Sequence, residues 1–90
     1  MAYKISYTSR FQKNLNKLTK VELKQLKNKL IILVENPFHP SLRTKKVKGT
    51  EYFECIVNMD VRIIWFYEQE EMIVLIDVGH HDILNNIKDN

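Results

Sequence analysis

Three strand-length apolar runs, Tyr52–Asn58, Val61–Tyr67 and Met72–Val78, follow one another with only Met59-Asp60 and Glu68–Glu71 between them. Gaps this short favour antiparallel hairpins, so the second half of the chain reads as a three-stranded meander. A small sheet with an apolar face needs a covering layer. The first half is patterned to provide it.

Phe11, Leu15 and Leu18 recur at i, i+4 and i+7, and Leu23, Leu26, Leu30 and Leu33 mark one face of a second helix, widened by Ile31, Ile32 and Val34. Ser9 with Gln12 and Thr19 with Glu22 have the spacing of capping boxes and set the two helix starts. Asn36-Pro37 stops the second helix, because the residue before proline disfavours helical backbone. Ahead of both, Tyr3–Tyr7 alternates apolar and polar and reads as a short strand. Phe38–Gly49 is a loop or irregular edge, Gly79 ends the last strand, and His80–Ile87 forms a tail able to make a short helix. The expected order is β-α-α-β-β-β. It describes one α+β domain over residues 1–90, a helical hairpin packed on a twisted antiparallel sheet.

The net charge of +3 conceals a segregation: residues 1–48 carry a net of +10 and residues 49–90 a net of −7. Lys13, Lys17, Lys20, Lys24, Lys27 and Lys29 stud the outer faces of the hairpin, and Arg43, Lys45, Lys46 and Lys48 precede the first meander strand. A basic half suggests a polyanionic partner, nucleic acid being the commonest, although lysines also simply keep helices soluble. A hydrophobic share of 44% with 28% charged residues is globular composition and excludes disorder. The single cysteine excludes a disulfide framework and fits a reducing, cytoplasmic setting. Apolar runs such as Leu30–Val34 and Ile63–Tyr67 fall far short of a bilayer span, and MAYKISYTSRF lacks the apolar core of a signal peptide.

Gly49 and Gly79 are the only glycines, which rules out a P-loop or a dinucleotide fingerprint. His39, His80, His81, Cys55 and Asp82 are the available metal ligands, but adjacent histidines usually point apart and Cys55 is mid-strand. No metal and no cofactor is expected, and Cys55 has no recognisable base beside it. Arg62 is the conspicuous residue, a cation inside VRIIWFY. Period 2 places Val61, Ile63, Trp65 and Tyr67 on one face and Arg62, Ile64 and Phe66 on the other. Such an arginine either pairs with Glu54 or Asp77 across the sheet or faces a substrate groove. Trp65 and Tyr67 could stack on bases, but at strand spacing they fit a core better.

A cationic set of this kind suits RNA cleavage in which the RNA supplies its own nucleophile, the 2′-hydroxyl. The protein then needs a base for that proton, a cation for the phosphorane and an acid for the leaving 5′-oxygen. Imidazole suits the proton transfers and the planar guanidinium suits the phosphorane.

With these pieces in place, the chain resembles the RelE/ParE superfamily of small toxins from bacterial toxin–antitoxin pairs over nearly its whole length. The matching elements are Phe11, Leu15 and Leu18 in the first helix, Glu35-Asn36-Pro37 at the end of the second, Lys46-Val47-Lys48-Gly49, Val61-Arg62-Ile63-Ile64, and Asp77-Val78-Gly79-His80-His81. Tyr52–Trp65 is most similar to the YafQ-like branch of the ribonucleases. The resemblance implies a ribosome-dependent mRNA endoribonuclease that works without metal. Its catalytic set would be His81 as general acid, Arg62 as phosphate clamp, Asp60 as base or as orienter of the imidazole, and Lys45 near a YafQ-branch histidine. Arg43, Lys46, Lys48 and His80 would hold the RNA backbone. Departures from the pattern are Glu54 and Ile56 where basic residues are usual, His81 in place of an arginine, and Asn85 and Asn86 where a terminal tyrosine is common.

The resemblance leaves two alternatives: a ParE-like gyrase inhibitor, and a catalytically weakened toxin acting with its antitoxin as a co-repressor. The implied partners are a cognate antitoxin, the ribosome and mRNA, with operator DNA reached only through the antitoxin and no membrane. The basic surface would attract an acidic antitoxin segment.

Overall fold

The computed structural model describes residues 2–80. Strand β1 (Lys4–Tyr7) leads into helices α1 (Ser9–Leu15) and α2 (Lys20–Glu35); a single 3-10 turn (Pro40–Leu42) precedes strands β2 (Lys45–Lys46), β3 (Phe53–Ile56), β4 (Val61–Gln69) and β5 (Met72–His80). The strands make one sheet in the order β1-β5-β4-β3-β2. The expected α+β architecture of two helices on a sheet is present. The meander β3–β4–β5 is antiparallel, as the short gaps require, and β1 joins it parallel to β5 on the outer edge.

Local chemistry explains most element boundaries, with two corrections. The helix α1 is capped by Thr8, not Ser9: the Thr8 hydroxyl accepts the Phe11 amide at 3.1 Å and donates to the Ile76 carbonyl of β5 at 2.8 Å. That second bond ties the cap to the sheet and shifts the start by one residue, so the Ser9–Gln12 box does not form. At α2 the Thr19–Glu22 capping box forms as the sequence indicates, with reciprocal bonds of 2.9 and 3.1 Å. Asn36 leaves α2 in extended conformation immediately before Pro37.

The second correction concerns Gly79. It pairs with Arg62, and His80 pairs with Val61, so β5 runs one residue beyond the glycine. Glycine does not stop a strand whose neighbour still offers a ladder. The expected helix at His80–Ile87 therefore loses its first residue to β5, and the remainder lies outside the described residues.

The loop Phe38–Gly49 is more ordered than its composition suggests. His39 caps the 3-10 turn by accepting the Ser41 amide, and Lys29 of α2 donates to the Ser41 carbonyl at 3.1 Å. Arg43 leaves that turn in left-handed conformation (φ 49°), and Gly49 (φ 77°) takes the tight bend before β3 that other residues resist.

The main core lies between helices and sheet, where Phe11, Leu18, Leu26, Leu33 and Leu42 meet Cys55, Ile63, Trp65, Ile73, Leu75 and Val78. Trp65 is fully buried and stacks on Phe53 with ring centroids 4.7 Å apart. Ile31 departs from the expected α2 stripe and is 65% exposed. The other face of the sheet is also partly dry: Ile64, Val74 and Val47 are buried outside the main core.

Candidate active site

Pairing across β3, β4 and β5 arranges the face turned away from the main core in rows, with α1 reaching it at the β5 end. Ile56, Arg62 and Gly79 form one row, and Glu54, Ile64 and Asp77 form the next. Arg62 therefore stands on the face away from the main core, as alternation along β4 requires.

Of the two alternatives open to it, the ion pair with Glu54 or Asp77 does not form. The Nη1 of Arg62 donates to the Asn58 carbonyl at 2.7 Å and to the Val61 carbonyl at 3.4 Å. Glu54 is engaged by Lys45 at 3.4 Å, and Asp77 by Arg10 at 3.1 Å and by the Asn14 amide at 2.6 Å. Both α1 residues sit one turn apart, which puts two donors over a single carboxylate. The two candidate counter-charges are thus neutralised by other cations, and Arg62 is oriented by neutral carbonyls. An arginine held this way keeps its positive charge available to a phosphate.

The residue that organises this corner was not singled out by sequence. Asn58 accepts the Asp60 and Val61 amides on its Oδ1, each at 2.8 Å, and its Nδ2 donates to Gln25 of α2 at 2.7 Å. One side chain thereby shapes the β3–β4 turn, fastens it to α2 and fixes the carbonyl that receives Arg62. The available signal was the turn itself, since Asn is favoured where a side chain must satisfy amides two and three residues on.

The remaining candidates divide between the two faces. Asp60 is exposed in the turn two residues before Arg62, and Lys45 shares the face of Arg62 through its pairing with Glu54. Lys46 pairs with Phe53 and reaches over that ring, its Nζ 5.5 Å from the centroid, which places it on the core side of the sheet edge. His80 lies opposite Val61, also on the core side, with its Nε2 3.7 Å from the Glu22 carboxylate. Arg43 and Lys48 are exposed on the connection between α2 and β3. His81 lies outside the described residues.

Among the described residues no three His, Cys, Asp or Glu side chains converge as a metal site. Burial pushes the Cys55 thiol up to about 12, so it stays protonated and unreactive. Tyr67, pushed up to about 12 by burial and then by neighbouring Tyr3, belongs with Trp65 to the core-side aromatic cluster. The aromatic residues on the face of Arg62 are instead Phe66 and Tyr52, whose ring centroids lie 5.9 Å apart.

A helical hairpin packed on a five-stranded sheet is the fold of the RelE-like class of small proteins. Solved structures of that class superpose closely. The RelE of an archaeal RelE–RelB complex from Pyrococcus horikoshii OT3 matches with a TM-score of 0.75 at 18% identity, covering 91% of this chain and 98% of that one. The E. coli DinJ–YafQ toxin–antitoxin complex gives 0.76 at 18% identity, covering 93% and 98%. A free double variant of E. coli RelE gives 0.75 at 22% identity, covering 98% and 93%. The family model for the bacterial toxin of type II toxin–antitoxin system, YafQ, matches residues 3–86. The chain belongs to this YafQ toxin family. No curated protein matches the sequence.

Proposed function

We propose that this toxin is an mRNA endoribonuclease that acts on translating ribosomes in the cytoplasm and is held inactive by a cognate antitoxin. The observation that carries the reading is Arg62, oriented by the carbonyls of Asn58 and Val61 while Glu54 and Asp77 are engaged elsewhere. The 2′-hydroxyl of the RNA attacks the adjacent phosphorus and loses its proton to a base. Arg62 takes the charge that gathers on the phosphorane oxygens, and an acid protonates the departing 5′-oxygen. The products are a 2′,3′-cyclic phosphate and a 5′-hydroxyl. Asp60, exposed two residues before Arg62, is the base or the group that orients one, and His81 is the acid through its matched position in the sequence. Lys45, Lys48 and Arg43 bind RNA backbone as point charges. Lys46 and His80, on the core side, contribute at the rim.

The chain offers an antitoxin an apolar groove edged by lysines. A groove of about 440 Å³ between α1 and α2 has an apolar floor of Phe11, Leu15, Leu23, Leu26 and Leu30 and a rim of Lys20, Lys24 and Lys27. It fits an amphipathic acidic segment that folds on binding.

Pulse labelling after induction without antitoxin tests the reading. Protein synthesis is expected to collapse within minutes while DNA synthesis lags. DNA synthesis failing first would place the target at gyrase and remove the roles given to Arg62, Asp60 and His81.

A further inference from the structure

Beyond the phosphate site, and resting on the ribonuclease reading, we infer that Tyr52 and Phe66 form a stacking platform for a base of the bound RNA. Phe66 lies on β4 four residues after Arg62 and on the same face, in the row completed by Val74 of β5. Tyr52 immediately precedes β3, and its ring meets that of Phe66 at 5.9 Å with an interplanar angle of 54°. Both rings are half-buried, so part of each meets solvent. Around them Ile64, Val74 and Val47 are buried, giving the pair a dry, fixed frame.

The other described aromatic residues lie off this face, Phe38 and Tyr7 being 55% and 56% exposed on other parts of the surface. Phe53, Trp65, Phe38 and Tyr67 pack on one another on the core side, Tyr3 leans on Tyr67, and Tyr7 leans on Phe11. Among the described residues, Tyr52 and Phe66 are therefore the aromatic surface that shares a face with the phosphate-binding arginine. Four residues of strand separate Phe66 from Arg62 by roughly 13 Å. A base stacked there belongs to a nucleotide near the scissile phosphate but not at it. Lys45, in the intervening row through its register with Glu54, is ion-paired to that carboxylate at 3.4 Å while most of its side chain stays exposed. An aromatic surface interleaved with cations along a sheet is the arrangement by which proteins hold single-stranded RNA, since every base offers a π-face and every link a phosphate.

The test uses a short oligoribonucleotide carrying 2-aminopurine, whose fluorescence is quenched on stacking, with the purified chain and its Phe66→Leu, Tyr52→Leu and Phe66→Trp variants. The wild type is expected to quench the probe, and each leucine variant to need roughly tenfold more protein for half-quenching at unchanged melting temperature. Phe66→Trp, with its larger ring, should bind at least as tightly as the wild type. In a reconstituted translation reaction the leucine variants should raise the half-saturating concentration for mRNA cleavage with little change in maximal rate. Quenching absent in the wild type, or equal in the leucine variants, overturns the platform. If a leucine variant melts, Phe66→Trp decides alone, and weakened quenching there overturns it. Platform-dependent quenching without any ribosomal cleavage would uphold the platform and remove the ribonuclease reading instead.

Discussion

Arg62 is tolerated in an apolar strand because its guanidinium ends on main-chain carbonyls at the β3–β4 turn. Period 2 alone predicts which face it occupies. Its partner is not legible from the sequence, because the answer depends on Arg10, Asn14 and Lys45 reaching Asp77 and Glu54 from distant parts of the chain. Arg62→Lys keeps the charge but loses the planar fork, and is expected to lower cleavage about 100-fold with a stability change within about 0.5 kcal/mol; titrated activity beside a urea melt measures both. Cys55 yields a separate prediction. Its thiol titrates near 9 when exposed and about 12 when buried, so above pH 9 the unfolded chain releases a proton that the folded chain keeps. Stability is therefore expected to be intact below that point and to fall as pH rises from 9 towards 12, with Tyr67 adding to the loss in the upper part of the window. Chemical unfolding across this range should show the decline, and Cys55→Ala should lessen it. In the native state below pH 9 the thiol should resist alkylation until denaturant is added.

Helix starts show how far local patterns reach. The Thr19–Glu22 box needs only residues of its own turn, and the sequence predicts it correctly. The start of α1 is set by Thr8, whose hydroxyl also bonds to Ile76, 68 positions away, and no local pattern contains that bond. Thr8→Ala should cost about 1 kcal/mol, whereas Ser9→Ala should stay within about 0.5 kcal/mol, as thermal melts will resolve. The β3–β4 turn is governed in the same long-range way. Asn58→Ala leaves two amides and Gln25 without their partner, so a loss of about 1–3 kcal/mol is expected. Cleavage should fall with it, because the carbonyl that receives Arg62 moves. Asn58→Asp keeps the acceptor and should recover most of the stability. Recovery by Asn58→Asp no better than by alanine would show that the turn does not depend on these amide bonds. Gly79, expected as a strand end, illustrates the converse: the extension of β5 is decided by where β4 begins.

For the whole molecule, the meander and its two-helix cover are legible because short gaps and apolar periodicity constrain them directly. The parallel docking of β1 on β5 joins the first strand to the last, and so has no local signature. Charge segregation, with a net of +10 in residues 1–48, sets the long-range behaviour towards RNA and antitoxin. Association with an acidic antitoxin should slow markedly between low and high salt, while a rate unchanged across that range would contradict the electrostatic part of the encounter. Substituting the groove floor, for example Leu23→Glu, should weaken antitoxin binding without abolishing cleavage. The most direct test is to map RNA 5′ ends in a reconstituted translation reaction containing the purified toxin. New 5′-hydroxyl ends within translated codons, dependent on ribosomes and lost with Arg62→Ala, are the predicted result. Intact mRNA under the wild-type chain, or identical cuts under Arg62→Ala, would contradict it.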